Sequence, residues 1–515
     1  MRKRKRLQRS LMAMTLLLLL CSQILSGCGG SEKDIRGGGD SSDTAQEIEH
    51  ITFVSFGFGE TPDREQVMER LNEISRREIG VEATIEFVSD ATYAEQLAMR
   101  LAGGDEDMDV YVLPFGASLA TYALQGSAIP LDDLIEEYGK DIKSSLGHLM
   151  DFAPINGKNY YIPFNSAKVY NTTFICRKDL CDKYGIDLTK VRNYMDLGDV
   201  FAVIKENEPE INCIMKNEDA IMWYDVERQL MPTFDTLGDN IGVLTGTDGT
   251  KVVNLFETEA YARLAATMRE WYLAGYIPND TAASSEDGVQ LYGEGKNFSY
   301  YCPMVLETDD EPYQHLGISA NSYDTYALGL STPVISSSNG FWSLVISPFS
   351  KYPEAAMKWI NLLYSNEEMV NTLYYGVEGV HWVKNEDGTI RHADGIEAGN
   401  SGWETPFLWL VGNSALSYVY DTDHVPADNN RKQIERNDMA TYSAAFGFSF
   451  VPDKVLTEYT AVNNVMTQYL RALNCGAVDP AVELPKFNQE LKDAGIDIII
   501  AEKQRQLDEW LAANK

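Results

Sequence analysis

Cysteine and histidine are scarce in this chain of 515 residues, with seven Cys and six His. Seven thiols in so long a chain are too few for a disulfide framework. No CxxC pair or Cys/His cluster has zinc-ligand spacing, and six scattered His argue against a His-rich metal site. Positive charge is thin as well: 43 Lys+Arg stand against 77 Asp+Glu, a formal net charge of -34. A surface with that balance repels phosphates, so DNA and RNA binding drop out. The apolar run Leu11 to Leu20 stops at roughly half of the about 20 residues that a spanning helix needs. Sequence repeats and coiled-coil heptads are absent. What is present is a composition 44% hydrophobic and 11% aromatic, enough for a large core and incompatible with disorder throughout.

Arg2, Lys3, Arg4, Lys5, Arg6 and Arg9 precede the apolar run with no acid among them. This is the charged region and apolar region of a secretory signal. The stretch ends in Leu25-Ser26-Gly27-Cys28, which resembles the lipobox of bacterial lipoproteins. That resemblance implies removal of residues 1–27 and a thioether-linked diacylglycerol on Cys28. Each buried methylene contributes about 0.8 kcal/mol, so two or more acyl chains hold a protein durably on a membrane. Residues 29–47, GGSEKDIRGGGDSSDTAQE, have almost nothing to bury and read as a flexible tether, 28–49, from the lipid to a folded body. The five thiols beyond it, Cys176, Cys181, Cys213, Cys302 and Cys475, are odd in number and mostly lie among apolar neighbours, which favours buried free thiols over a disulfide.

From Ile51 onward, short β-like runs alternate with amphipathic helices. Strands are predicted at 51–56, 81–88 and 109–113, with helices at 63–79 and 93–102 between them. This βαβαβ order calls for a parallel sheet covered on both faces, with ligands bound beyond the carboxyl ends of the strands. A second α/β region is predicted after Phe164, with strands near 169–177, 211–215 and 298–301. Helices follow at 355–364 and 367–375, then a hairpin at 381–392 turned by Asp387-Gly388.

Several segments carry a family resemblance. Gly103-Gly104-Asp105 through Asp109-Val110 follows a GD-x-PD-(I/V) pattern, with Met108 where Pro is usual. Ala128-Ile129-Pro130-Leu131-Asp132-Asp133-Leu134-Ile135 resembles (I/L)xPLDDL, and Asn156-Gly157-Lys158-Asn159-Tyr160-Tyr161-Ile162-Pro163 resembles (D/N)GKxYxIP. Arg177-Lys178-Asp179-Leu180, Tyr352-Pro353-Glu354-Ala355-Ala356 and Tyr375-Gly376-Val377-Glu378-Gly379-Val380-His381-Trp382 continue the series, the last with Trp382 where Tyr is usual. Phe446-Gly447-Phe448 through Trp510 resembles the DUF3502-type C-terminal region. In this order the segments resemble the extracellular solute-binding lipoproteins of carbohydrate-type ABC importers, and they cover nearly the whole chain after Cys28. The resemblance implies an α/β, two-lobe, periplasmic-binding-protein-like fold of class II, with an interlobe hinge and a mainly helical C-terminal part. Lobe 1 is expected at 50–164 plus about 330–375, and lobe 2 at 165–329 plus about 376–515. It also implies a monomer on the extracellular face of the cell membrane, attached by its lipid alone, that closes on a small ligand and passes it to permease subunits without a cofactor.

A saccharide presents apolar C–H faces ringed by hydroxyls, so its site needs aromatic platforms with carboxylates and amides beside them. Aromatics at strand ends or on irregular segments are Phe58, Phe115, Phe164, Trp223, Tyr224, Tyr301, Trp342, Trp382, Trp403 and Trp409; the polar candidates are Glu60, Asn165, Ser166, Glu378, His381 and Asn413. Each aromatic reads equally well as core, Glu60 as a solvated acid, Asn165 and Ser166 as turn residues, and Glu378 as a stabiliser of its turn. A secreted glycoside hydrolase would need the same platforms plus two carboxylates about 5 to 10 Å apart. The chain lacks the G-x-S-x-G and H-E-x-x-H motifs of other hydrolases. A peptide ligand, the other alternative, would instead need acids placed for its charges.

Overall fold

The computed structural model describes residues 48–513, apart from 58–60, 115–118, 152–154, 156, 169–170, 216–233, 247, 285, 287, 305–312, 318–322, 330–333, 336–341, 398–399, 404–410, 422–425 and 440. The expected βαβαβ unit opens it. Strand β1 (Glu49–Gly57) lies between β2 (Val81–Ser89) and β3 (Val110–Val112), parallel to both, with Phe53 opposite Ile85 on one side and Val110 on the other. It buries Ile51, Phe53, Val54 and Phe56, as a strand covered on both faces must. The connecting helix α1 (Arg64–Ile79) turns Val67, Leu71, Ile74 and Ser75 inward, a stripe at helical spacing, and α2 (Asp90–Gly103) leads into β3.

The sheet is not wholly parallel. Its order is β2-β1-β3-β14-β4, with β4 at Ile162–Pro163 and β14 at Ser343–Ile346. Strand β14 runs antiparallel to both neighbours because it returns from the second lobe and enters at the carboxyl edge of β3. The second sheet has the order β11-β12-β5-β10-β6, and its central strand β5 (Asn171–Arg177) is antiparallel to β10 (Asn297–Met304) and β12 (Thr325–Gly329). β11 (Gln314–Gly317) and β6 (Asn212–Ile214) are its edges. A small sheet of β7 (Phe234–Asp235), β8 (Val243–Thr245) and β9 (Val252–Val253) lies in the same lobe.

Two separate cores result. One joins residues 51–164 to 344–374; the other joins 174–328 to 445–507. The C-terminal helices α7 (Leu456–Asn474), α8 (Pro480–Asp493) and α9 (Ile496–Ala513) belong to the second core. Tyr261 Oη donates to Asn474 Oδ1 at 2.7 Å there, and the Phe256 and Phe487 rings meet edge to face. The sequence moves the chain into lobe 2 at about residue 376, and here the structure differs. Trp403 and Val411 sit in the first core, and the chain joins the second core only at Ala445. The cause is local. The hairpin of β15 (Trp382–Lys384) and β16 (Ile390–His392), with the segment after it, folds back onto the helix Glu367–Tyr375. Trp403 Nε1 donates to Leu373 O at 3.0 Å.

The four described thiols, Cys176, Cys181, Cys213 and Cys475, are buried and free, as their apolar neighbours suggest. No helix among the described residues is long and apolar enough to cross a membrane.

The motif segments have physical roles. The Asp109 carboxylate accepts the Thr52 N–H at 2.8 Å and the Ser350 hydroxyl, while its backbone exchanges hydrogen bonds with Thr52 and Ser347. One buried acid thus ties the start of β3 to β1 and to the turn after β14. Asp132 accepts the Asn159 backbone and side-chain N–H groups, so two motifs 27 residues apart dock as one unit. Truncating Asp109 strands a buried N–H, which costs about 1–3 kcal/mol. D109A is therefore expected to lower the unfolding free energy by that amount, read as a lower denaturant midpoint at an unchanged slope, and an unchanged midpoint would refute the tie.

Candidate functional site

The chain passes between the two cores three times: from β4 to β5, from β12 to β14, and between Leu416 and Ala445. The first two passages leave lobe 1 at the carboxyl edge of its sheet, where Leu113 N–H meets Ser343 O and Phe164 N–H meets Trp342 O. In lobe 2 they enter at the edge where β10 and β12 end and β5 begins, since Met304 pairs with Asn171 and Gly329 with Thr173. Both sheets therefore turn the same kind of edge toward the passages, and ligands of α/β sheets bind beyond such edges.

Side-chain amides hold the passages together. Asn165 N–H donates to Gly412 O, and Ser414 N–H and Oγ both donate to Asn165 O. Asn165 Nδ2 donates to Asn413 Oδ1 at 2.9 Å and to Ser145 O at 3.2 Å, and Asn413 Nδ2 reaches Ser145 Oγ and Tyr364 O. Gly412 has φ 85°, and a Cβ there would lie 2.7 Å from Leu363 O, so only glycine fits this approach. One step along, Asn437 spans the first and third passages: its Oδ1 accepts the Lys168 N–H at 2.8 Å and its Nδ2 donates to Ser166 O at 3.0 Å. The second and third passages pair directly, with β13 (Val334–Ile335) parallel to β17 (Thr441–Tyr442).

Among the residues expected from sequence to meet a ligand, Asn165 and Asn413 come together here, both buried. Asn165 Oδ1 is buried and has no hydrogen-bond partner among the described residues. Trp342 is half-buried at the start of β14, with its ring 5.5 Å from that of Phe56 at the end of β1. Phe58, Glu60, Phe115, Trp223, Tyr224 and Trp409, like Cys28, where the sequence leads one to expect a lipid, lie outside the described residues.

The remaining candidates sit elsewhere. His381 and Trp382 are 1% and 4% exposed inside the turn that follows the helix Glu367–Tyr375. His381 Nδ1 accepts the Val377 N–H, which leaves the proton on Nε2, facing Asp63 Oδ2 at 3.3 Å. Trp382 Nε1 donates to Gly376 O, and Gly376, with φ 83°, has the His381 ring where a Cβ would be. Their ring nitrogens are thus committed to the turn, and Glu378, exposed, bridges back to Trp382 through its backbone. Trp403 packs edge to face on Phe87 in the first core. Tyr301, 2% exposed, packs edge to face on Phe174 in the second. These side chains read as aromatic stock in the sequence, yet the structure uses them as packing.

Sequence reasoning missed Lys168 and Asn437, buried polar residues with no motif around them. A groove of about 720 Å³ between Glu259–Leu273 and α8 lies away from the passages. Its Arg269 already donates to Gly476 O and Ala477 O, and its Glu257 pairs with Lys492. Among the described residues no cluster of His, Cys, Asp and Glu could hold a metal ion.

Burial pushes the Lys168 ammonium down to about 8 from an ordinary 10.5. Below about 8 the lysine is charged whether folded or unfolded; between about 8 and 10.5 only the unfolded chain keeps the proton. Raising pH through that window therefore favours the folded state. Stability measured by denaturant titration is expected to rise across it by more in the wild type than in K168M, and parallel profiles would refute the assignment.

Residues 61–370 match the family described as bacterial extracellular solute-binding protein, and residues 444–512 match a domain of unknown function, DUF3502. A carbohydrate ABC transporter substrate-binding protein of Streptococcus pneumoniae serotype 4 is 28% identical over 511 residues, 95% of this chain and 96% of that one. The N-glycan transport solute-binding protein NgtS of Streptococcus pneumoniae is 26% identical. Its crystal structure superposes with a TM-score of 0.74, covering 91% of this chain and 100% of NgtS. Its complex with Man1GlcNAc gives 0.69, covering 90% and 100%. Two lobes, three passages and a family match over more than half the length agree: the chain belongs to the bacterial extracellular solute-binding proteins, with a DUF3502 region at its carboxyl end.

Proposed function

We propose that this protein captures an oligosaccharide outside the cell by closing its two lobes on it, and hands the sugar unaltered to the permease subunits of an ABC importer. The observation that carries the reading is the buried, unpartnered Asn165 Oδ1 at the root of the passages, beside the carboxyl edge where Trp342 is half-buried. A sugar O–H is the donor this oxygen lacks, and an indole face suits the C–H face of a pyranose. The relatives support the class, since NgtS is solved with Man1GlcNAc and the pneumococcal relative is named for carbohydrate. Closure also accounts for a graded likeness: the TM-score to NgtS is 0.74 for the structure named without a glycan, 0.69 with Man1GlcNAc and 0.66 with Man5GlcNAc. Two lobes that rotate toward each other on binding superpose less well on an open form.

The remainder of the reading concerns place. The lipobox-like Leu25-Ser26-Gly27-Cys28 puts a diacylglycerol on Cys28 and holds a monomer on the extracellular face of the membrane. The tether then lets the body reach the permease. C28A is expected to release the protein into the medium, measured by fractionation.

The ligand is tested on the body from Cys28 to Lys515 by melting-temperature shift with mannose–GlcNAc glycans, other oligosaccharides and peptides. A ligand at 100 times its Kd stabilises by about 2.7 kcal/mol. An oligosaccharide is expected to raise the midpoint with its own mass unchanged after incubation. W342A and N165A are expected to weaken that sugar at least about tenfold, the scale of one lost hydrogen bond to a buried group. A response to peptides alone would replace the sugar, and a cleaved glycan would replace the binding protein by a hydrolase.

A further inference from the structure

The third passage does not enter lobe 2 unsupported. Directly after β17, Ser443 Oγ donates to Asp235 Oδ2, and both residues are buried. The other Asp235 oxygen accepts the Leu237 N–H at 3.0 Å and opens a turn, 235–242, in which Leu237 and Asn240 have φ 50° and 61°. Side chains other than glycine stay in the left-handed region only where their surroundings fix them.

The C-terminal helices supply the fixing. Lys503 of α9, fully buried, reaches Asp239 Oδ1 and Gly242 O, with its ammonium 4.9 Å from the centre of the Phe450 ring. Tyr459 of α7 donates to Asp239 Oδ2 at 3.0 Å. Gln506 of α9 then brackets the segment that follows the passage: its Oε1 accepts the Val451 N–H and its Nε2 donates to Val451 O. One helix therefore grips the third passage through the turn and Ser443, and holds the chain just beyond that passage at Val451. A buried ammonium is tolerated only where a carboxylate and carbonyls meet it, so this contact admits one position.

We infer that the DUF3502 region is the brace of the hinge and that Lys503 is its positioning residue: through Asp239 it fixes the 235–242 turn, hence the point at which Ser443 anchors the third passage, and so sets the balance between open and closed lobes. This rests on the reading of the protein as one that closes on its ligand. Lys503 lies in the second core and touches no ligand; it acts through the turn.

The test reads the lobes without any ligand. M99C on lobe 1 and L273C on lobe 2, 59% and 68% exposed, take spin labels while the four described native thiols stay buried. Pulsed dipolar spectroscopy then gives the distribution of interlobe distances. K503M is expected to change the ratio of open to closed lobes at least about threefold, and K503R, which keeps the cation, to restore part of it. S443A should shift the ratio in the same way and add little on top of K503M, because both cut one linkage; residues acting separately would give independent effects. Y459F, which loses a single hydroxyl, reads the same linkage should K503M not fold. A folded K503M or Y459F with an unchanged distribution, or effects of S443A and K503M that multiply independently, would overturn the inference. Adding Man1GlcNAc to the wild type separates the two readings: a distribution unmoved by this or any other glycan counts against sugar-driven closure, whereas the ligand-free ratios judge the brace.

Discussion

Everything in this fold depends on three stretches of chain that must cross between two cores while belonging to neither sheet. Apart from the short ladder of β13 with β17, a backbone in that position has no sheet to join, and each buried N–H or C=O left alone costs about 1–3 kcal/mol. The structure answers with side-chain amides, which carry a donor and an acceptor on one planar group. Asn437 uses both at once on Ser166 and Lys168, and Asn165 with Asn413 closes the root of the first passage on Ser145, Tyr364 and Gly412. These bonds are short-range and bind neighbouring strands of the hinge to one another, so they survive a rotation of one lobe against the other. A hinge built from sheet would have to break its ladder to move.

The sequence made the regular elements legible because their signals are local. Periodicity found α1 and the helix Glu367–Tyr375, alternation and apolar runs found β1, β2 and β3, and Asp387-Gly388 found the hairpin. The antiparallel entry of β14 was hidden, since nothing in Ser343–Ile346 says from which lobe it arrives. The late third passage was hidden for the same reason: the described residues of 376–420 have little regular structure, and their place in lobe 1 rests on anchors such as Trp403 on Leu373 O. Within the site, Asn165 was legible as a polar group at the crossover and Asn413 as one beside aromatics on an irregular segment, whereas Asn437 and Lys168 carry no pattern. The aromatics misled in a consistent way. Trp382, Trp403 and Tyr301 lie at strand ends or on irregular chain, yet an indole or phenol there serves equally to close a core around a loop.

Charge plays a different part from packing. The chain carries a net charge of -34, and ion pairs such as Arg76 with Glu69 or Lys143 with Glu136 join exposed or half-exposed groups that solvent screens, so they add little. Stability therefore rests on the two cores, whose largest fully buried side chains include Trp359, Tyr111, Phe174 and Phe256. Lys503 with Asp239 stands apart, because its ammonium is wholly buried and exchanges water for one carboxylate and one carbonyl. Burial lowers its proton affinity, and the Asp239 charge opposes that loss. Such a pair gives little net stability but strong geometric definition, since its energy falls away when the partners separate.

That definition matters because of how a closing protein divides its binding energy. When only a fraction of the free molecules is able to close, the apparent Kd rises by the inverse of that fraction. The pocket at the sheet edges then decides which ligand is preferred, while the hinge decides how tightly any ligand is held. Contacts far from the ligand therefore act on affinity without acting on specificity. In this fold the two regions lie on different parts of the chain: the sheet edges meet the passages beside Asn165 and Trp342, and the helices from Leu456 to Ala513 hold the segment that follows the third passage. A region so placed can change in sequence without altering what is recognised, provided that its grip on Ser443 and Val451 is kept.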